Sequence, residues 1–197
     1  MLRKRWASVV LLAAAMVSAY GQEEMSPATV NPNLVHNGGL ENPKHTWMDT
    51  TCNYMALYAG STAIPGWTVS ASTVNEIVWA MTPTCDGHRA AAGSFFVDLT
   101  GFGSDSPNGA VQQTLKNLVA GHVYNFSMDV ITDRMPPLVT IDGLAITLKA
   151  GKPFKRGTDI WTPETGSFTA RSSDPVLEIQ NQAYQVEFID SVIVRAQ

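Results

Sequence analysis

Few side chains in this 197-residue chain are of types and spacings that could do chemistry. Its two cysteines, Cys52 and Cys85, can join as a disulfide, stay as thiols or serve a metal. No CxxC spacing or neighbouring histidine pair favours the metal. The histidines, His36, His45, His88 and His122, form no ligand spacing such as HExxH. No GxSxG elbow is present. Gly101-Phe102-Gly103-Ser104 begins like a glycine-rich loop, but no helical pattern follows it, so it reads as a turn. Acidic side chains are plentiful, yet a glycosidase needs two carboxylates at a set separation across a cleft, and linear spacing does not supply that. The chain therefore reads as a non-enzyme.

Aromatic residues offer a different chemistry. Trp47, Tyr54, Tyr58, Trp79 and Trp161 are candidates for a flat ring stacked on the apolar face of a sugar. Asp98, Asn75 and Glu76 are candidate polar partners for its hydroxyls. Each aromatic has a competing role in the core, where rings contribute the largest burial. Of the set, Trp79 and Tyr54 are expected to be exposed. Trp67, which follows Ile64-Pro65-Gly66, is expected to be internal.

The first residues suggest the compartment. Arg3, Lys4 and Arg5 precede an apolar run from Ala7 to Val17, then the small residues Ser18, Ala19 and Gly21. This is the pattern of a secretory signal peptide over residues 1–21, cut after Gly21. The apolar run is shorter than the roughly 20 residues of a membrane span. No second stretch is long enough to span a bilayer. No cysteine stands at the cut, so a lipoprotein is not expected. In an exported chain the cysteine pair reads as a disulfide. Loss of Arg3, Lys4 and Arg5 moves the formal charge from −4 to −7. An acidic chain without a basic cluster is a poor nucleic-acid binder.

Strands must position whatever site exists. Residues 22–32 read as a flexible lead-in and 33–197 as one β-sandwich domain. Val123 to Val130 sets Tyr124, Phe126, Met128 and Val130 against Val123, Asn125, Ser127 and Asp129, the period-two pattern of a half-buried strand. Asn125-Phe126-Ser127 matches a glycosylation sequon, but its place inside that strand makes it a coincidence of letters. Asp142-Gly143 joins Val139–Ile141 to Leu144–Leu148 and predicts a hairpin with a type I′ turn. Further strands are expected at 74–79, 95–99, 110–115, 166–170, 176–180 and 186–194. Short strands with regular turn signals indicate a sandwich or barrel. The stretch from Asn42 to Pro65 reads as a long aromatic loop held by Cys52.

Three fragments carry a family resemblance: Asn33-Leu34-Val35-His36-Asn37-Gly38-Gly39-Leu40-Glu41, Ile64-Pro65-Gly66-Trp67 and Phe188-Ile189-Asp190-Ser191-Val192-Ile193-Val194. With Ala92–Leu99, Gln112–Leu115 and Gly121–Tyr124 between them, the ordered set resembles the galactose-binding-like jelly rolls, most nearly DUF642 and its anchored bacterial relatives. Xylan- and cellulose-binding modules share its opening and closing strands. The resemblance implies an all-β jelly roll of eight or nine strands, an extracellular place and attachment to cell-wall or matrix polysaccharide. It also implies a structural calcium ion held by Glu41 and Asp190. Carboxylates and loop carbonyls are the oxygen ligands calcium takes. The competing role for the two acids is to cap backbone amides at strand ends, and Ser191 stands where a second acid is common. Leu40 replaces the usual phenylalanine. The chain ends at Gln197 without a sorting tail, so free release is expected. The leading functional reading is a non-catalytic glycan-binding protein. Its rivals are a structural or adhesion sandwich that binds protein and a hydrolase with an unfamiliar site.

Overall fold

Alternation along residues 123–132 and the neighbouring strands builds the core. In a computed structural model, which describes residues 31–41, 52–102, 108–182 and 186–197, Tyr124, Phe126, Met128 and Val130 all point inward. The strands among the described residues are β1 (Tyr54–Tyr58), β2 (Thr68–Val69), β3 (Glu76–Met81), β4 (Phe95–Asp98), β5 (Ala110–Thr114), β6 (Val123–Thr132) and β7 (Leu138–Ile141). They continue with β8 (Leu144–Ala145), β9 (Lys149–Ala150), β10 (Phe154–Arg156), β11 (Asp159–Thr169), β12 (Val176–Gln180) and β13 (Glu187–Ala196). The signal peptide, most of the lead-in, Trp47 and His45 lie outside the described residues. Among the described residues, no helix is long and apolar enough to cross a membrane.

Two antiparallel sheets form a jelly-roll sandwich. The larger runs β1-β3-β4-β13-β6-β11-β10, with β9 also paired to β11, and the smaller runs β2-β5-β12-β7-β8. Between them lies an apolar core that includes Trp79, Phe95, Phe126 and Ile189 from the large sheet and Val111, Val139, Leu177 and Ile179 from the small one. The hairpin forms as expected. Ile141 faces Leu144 across Asp142 and Gly143, whose φ values of 49° and 75° suit a type I′ turn. The 13 strands exceed the eight or nine that the resemblance implies because β2, β8, β9 and β10 are only two or three residues long.

Two expectations need correction. The stretch 42–65 is not loop throughout: Tyr54–Tyr58 pairs with β3 at a sheet edge. The strand expected at 166–170 begins far earlier, at Asp159, and passes through Pro163 and Gly166. Both residues weaken a strand reading, proline because it has no N–H to donate to a ladder.

The opening motif fastens the chain to its end. Asn33 Oδ1 accepts from the amides of Val35 and Val194 at 3.0 and 2.9 Å, and its Nδ2 donates to Val192 O at 3.0 Å. Gly38 sits so close to β13 that a Cβ there would collide with Val192 O. Asn37 takes the amide of Glu41 and donates to Pro65 O, tying the motif to the turn before Trp67. Trp67 is buried as expected, and its Nε1 donates to Asn37 O at 3.0 Å.

Cys52 and Cys85 form a disulfide, with their Cα atoms 4.8 Å apart and a sequence separation of 33. It ties the start of β1 to the 82–94 segment that lies over the outer face of the large sheet. By loop-closure entropy the Cys52→Ser/Cys85→Ser double variant is expected to lose about 3–4 kcal/mol of stability. Urea denaturation reads this directly, and an unchanged midpoint would show that the bridge adds nothing.

Candidate functional site

The outer face of the large sheet has its own pattern. Since side chains alternate along a strand, Ile77 and Trp79 of β3 face the core while Val78 and Ala80 face out. In register with them stand Tyr54 opposite Ala80, Phe96 opposite Ala80 on the other side, and Asp98 opposite both Val78 and Phe188. Phe96, Trp161 and Phe188, with Ala80, Ala90 and Ala91, form a second, smaller apolar cluster here. The 82–94 segment caps it, and Trp161 Nε1 donates to Arg89 O at 3.0 Å.

Where this cap ends, a cleft of about 180 Å³ opens, lined by Tyr54, Asp86, His88, Asp98, Phe102 and Phe188 among others. Tyr54 and Phe102 meet edge to face, with ring centroids 5.9 Å apart and planes at 79°. Phe102 is 47% exposed. Polar groups stand around this pair, each with a partner that sets its direction. Tyr54 donates its hydroxyl to Asp86 Oδ2 at 3.0 Å. His88 Nδ1 lies 2.9 Å from Oδ1 of the buried Asp159, whose Oδ2 accepts from Arg89 N at 2.6 Å. The His88 ring rests edge-on against Phe188. Asp98 Oδ1 accepts from the amide and the hydroxyl of Thr100. Burial raises the Asp98 carboxyl to about 6, against the lowering effects of Thr100 and of His88. Burial also raises the Tyr54 phenol.

The eight residues proposed from sequence for ligand contact divide sharply. Tyr54 and Asp98 line the cleft. Glu76 stands behind it, where its Oε1 accepts from Phe102 N at 3.1 Å and so places the exposed ring. Asn75 is exposed in the left-handed turn before β3. Tyr58, 61% exposed, lies at the far end of β1 from Tyr54. Trp79 is a correction: expected to be exposed, it is 2% exposed in the main core, and its Nε1 donates to Leu40 O. Trp161 is likewise fully buried, beneath the 82–94 segment. Trp47 lies outside the described residues. Sequence reasoning missed Phe102, Asp86 and His88. Their one linear signal was nearness to Cys85 and to the glycine turn at Gly101.

Glu41 and Asp190 both address the segment that enters β4. Glu41 Oε1 accepts from the amides of Ser94 and Phe95 at 2.8 and 3.2 Å. Asp190 is fully buried at a bulge in β13, and its oxygens accept from Ala92 N at 3.0 Å and Ser191 N at 2.6 Å. Burial pushes its carboxyl up to about 8, and the charges of Asp129 and Glu41 add to the rise. Asp129, the residue opposite Asp190 on β6, is also raised by burial, while Ser191 and Arg156 act to lower it. Among the described residues, no three His, Cys, Asp or Glu side chains are grouped to hold a metal. A hard cation at this acid pair would thus need carbonyls and water for the rest of its shell.

No family model matches the chain, and the DUF642 resemblance rests on the quoted fragments. Halomucin of Haloquadratum walsbyi is 32% identical over 157 residues, a stretch that is 77% of this chain and 2% of that protein. The chain thus spans about 2% of the length of this curated relative. Among solved structures, a CBM22 xylan-binding domain from Paenibacillus barcinonensis is 12% identical, with a TM-score of 0.40 over 76% of this chain and 97% of that one. A CBM4 structure is 16% identical, with a TM-score of 0.38 over 83% and 99%. At such scores the superpositions are loose, and nothing about a ligand follows from them.

Asp98 gives the site a pH signature. Folded Asp98 keeps its proton to a higher pH than the unfolded residue, so between about pH 4 and 6 the folded state binds more protons. Its contribution to stability therefore falls as pH rises through that window, by about 3 kcal/mol in total. Asp98→Asn is expected to flatten this part of the stability profile. Chemical denaturation at stepped pH measures it, and identical slopes in the two proteins would refute the assignment.

Proposed function

We propose that the chain is an exported, non-catalytic glycan-binding module that takes a polysaccharide in the cleft of Tyr54 and Phe102. One observation carries this reading: the exposed Phe102 and the half-buried Tyr54, less open than expected, sit beside carboxylates and an imidazole whose directions are all set by partners. Rings supply a stacking face for a pyranose, and the polar groups supply acceptors and a donor for its hydroxyls. The partnering of Asp86 by Tyr54, Asp98 by Thr100 and His88 by Asp159 supports binding rather than turnover. The Cys52–Cys85 disulfide supports an oxidising, extracellular place. The ordered fragments support a DUF642-type relationship.

In the same proposal Glu41 and Asp190 hold a structural calcium ion. Their convergence on residues 92–95 and the crowding of acids around Asp190 support it, because a divalent cation would compensate charge that burial now penalises. The ion would pin the 82–94 segment to the sheet from below and so shape the cleft.

Two outcomes follow. Tyr54→Ala and Phe102→Ala are each expected to weaken retention on a bound polysaccharide at least about tenfold, the scale of one lost ring stack. A glycan array identifies the ligand, and no hit with the folded protein would end this reading. Chelation is expected to lower the melting temperature of wild type but not of Glu41→Gln/Asp190→Asn. An unchanged wild-type melting temperature would remove calcium from the scheme.

A further inference from the structure

The loop that borders the aromatic cleft also walls a second cavity. Its volume is about 430 Å³, and Thr82, Arg89, Ala91, Gly93, Arg156 and Gly157 are among its lining residues. That is the size of a small-molecule site, roughly 300–1,000 Å³. Among the described residues that line it are two guanidiniums and no carboxylate, while Glu41 packs against Gly93 of the wall. The remaining side chains are small, which leaves the space to a ligand.

Both arginines are placed by the fold. Arg156 closes β10, and its Nε donates to Ala91 O at 2.6 Å, with the guanidinium carbon 6.0 Å from the Phe154 ring centroid. With Nε held there, the two Nη groups form the outward edge of the fork. The stem of Arg89 lies across Gly157, where a Cβ would come within 2.8 Å of Arg89 Cδ. Gly157 also has a φ of +63°, so both its backbone and its lack of a side chain are used.

Among the described residues neither guanidinium forms an ion pair: those present are His88–Asp159 and Lys116–Asp174. Arg156 acts electrostatically on Asp129, a carboxyl that burial raises overall. In a chain with 17 acids and 13 basic residues, two arginines that share a cavity outside any ion pair among the described residues offer a local anion site. A planar fork of donors matches the oxygens of a carboxylate or a sulfate.

We propose that this cavity is a subsite for the oxyanion of an acidic sugar, held between Arg89 and Arg156. The oxyanion is the carboxylate of a hexuronate or the ester sulfate of a sulfated sugar. This inference rests on the glycan reading and names its substrate class, an anionic polysaccharide. Continuity of the chain supports the link: His88 lines the aromatic cleft, and the next residue, Arg89, lines this cavity. A glycan seated on Tyr54 and Phe102 would carry its acidic substituent toward the arginines.

Affinity electrophoresis tests it with polygalacturonate, the same polymer after carboxyl reduction, dextran sulfate and neutral xylan. Wild type is expected to bind an acidic polymer at least about tenfold more tightly than its neutral counterpart, as charge-assisted bonds of this kind predict. Preference for polygalacturonate identifies the carboxylate, and preference for dextran sulfate identifies the sulfate. Arg89→Ala is expected to remove that preference while neutral binding and melting temperature stay unchanged. Because Arg156→Ala also removes the bond to Ala91, Arg156→Lys is used at that position, with loss of preference expected. A direct readout is the arginine Nε–Hε NMR signals titrated with sodium glucuronate, sodium sulfate and methyl glucoside. Shifts with the anions alone are expected. Equal binding of acidic and reduced polymers, with neutral binding retained, would overturn the subsite and leave the glycan reading intact. Arginine shifts with glucuronate in a protein that binds no polymer would do the reverse. No shift with either anion would overturn the subsite outright.

Discussion

The grip of residues 33–41 on β13 is the constraint on which the rest depends. Asn33 bonds to Val192 and Val194, Gly38 makes room for Val192 O, and Asn37 reaches the 64–67 turn. Two buried indoles complete it, since Trp67 and Trp79 donate to Asn37 O and Leu40 O. A backbone segment that is not itself a strand thereby has its polar groups satisfied inside the fold, which burial requires. The motif ends at Glu41, whose carboxylate then takes the amides leading into β4. One short segment thus joins the two ends of the chain and sets the entry to the strand that carries Asp98.

The outer face of the large sheet depends on that arrangement. A sheet face in water would show polar side chains, yet this one carries Phe96, Trp161 and Phe188. The 82–94 segment covers them, held by the disulfide at one end and by Asp190 and Glu41 at the other. Because the cover stops short of Tyr54 and Phe102, apolar and polar groups meet in a cleft at its border. Successive residues of the same segment then face different surroundings, His88 toward the rings and Arg89 toward Arg156. The covalent staple and the buried acids therefore act on the shape of the cleft as well as on stability.

Strands with one wet face showed in the sequence which side chains point inward, and those covered on both sides were legible as strands but not in their facing. The alternation of β6 marked its buried residues correctly, and Asp142-Gly143 marked the hairpin. In β3 the four central residues are all buried, so no alternation separates Trp79, which faces the core, from Ala80, which faces out. That is why Trp79 looked available. Trp161 was misread for a different reason: it alternates with the exposed Ile160, but its own face is covered by the segment of Arg89, 72 positions earlier in the chain. The cleft itself joins Tyr54, Asp86, Asp98, Phe102 and Phe188, which no linear pattern relates.

Composition and motif alone pointed to the all-β class, the one-sided strands and the internal place of Trp67, and made Cys52–Cys85 the expected pair, whose meeting the fold supplies. These follow from local rules: side-chain period, turn chemistry and an even cysteine count. Tertiary structure alone decided which aromatics meet solvent, which carboxylates are raised by burial and which arginines share a cavity. Those properties depend on what covers a residue, and here the cover is a distant segment whose path is set by the sheet, the disulfide and the acid-bound amides together.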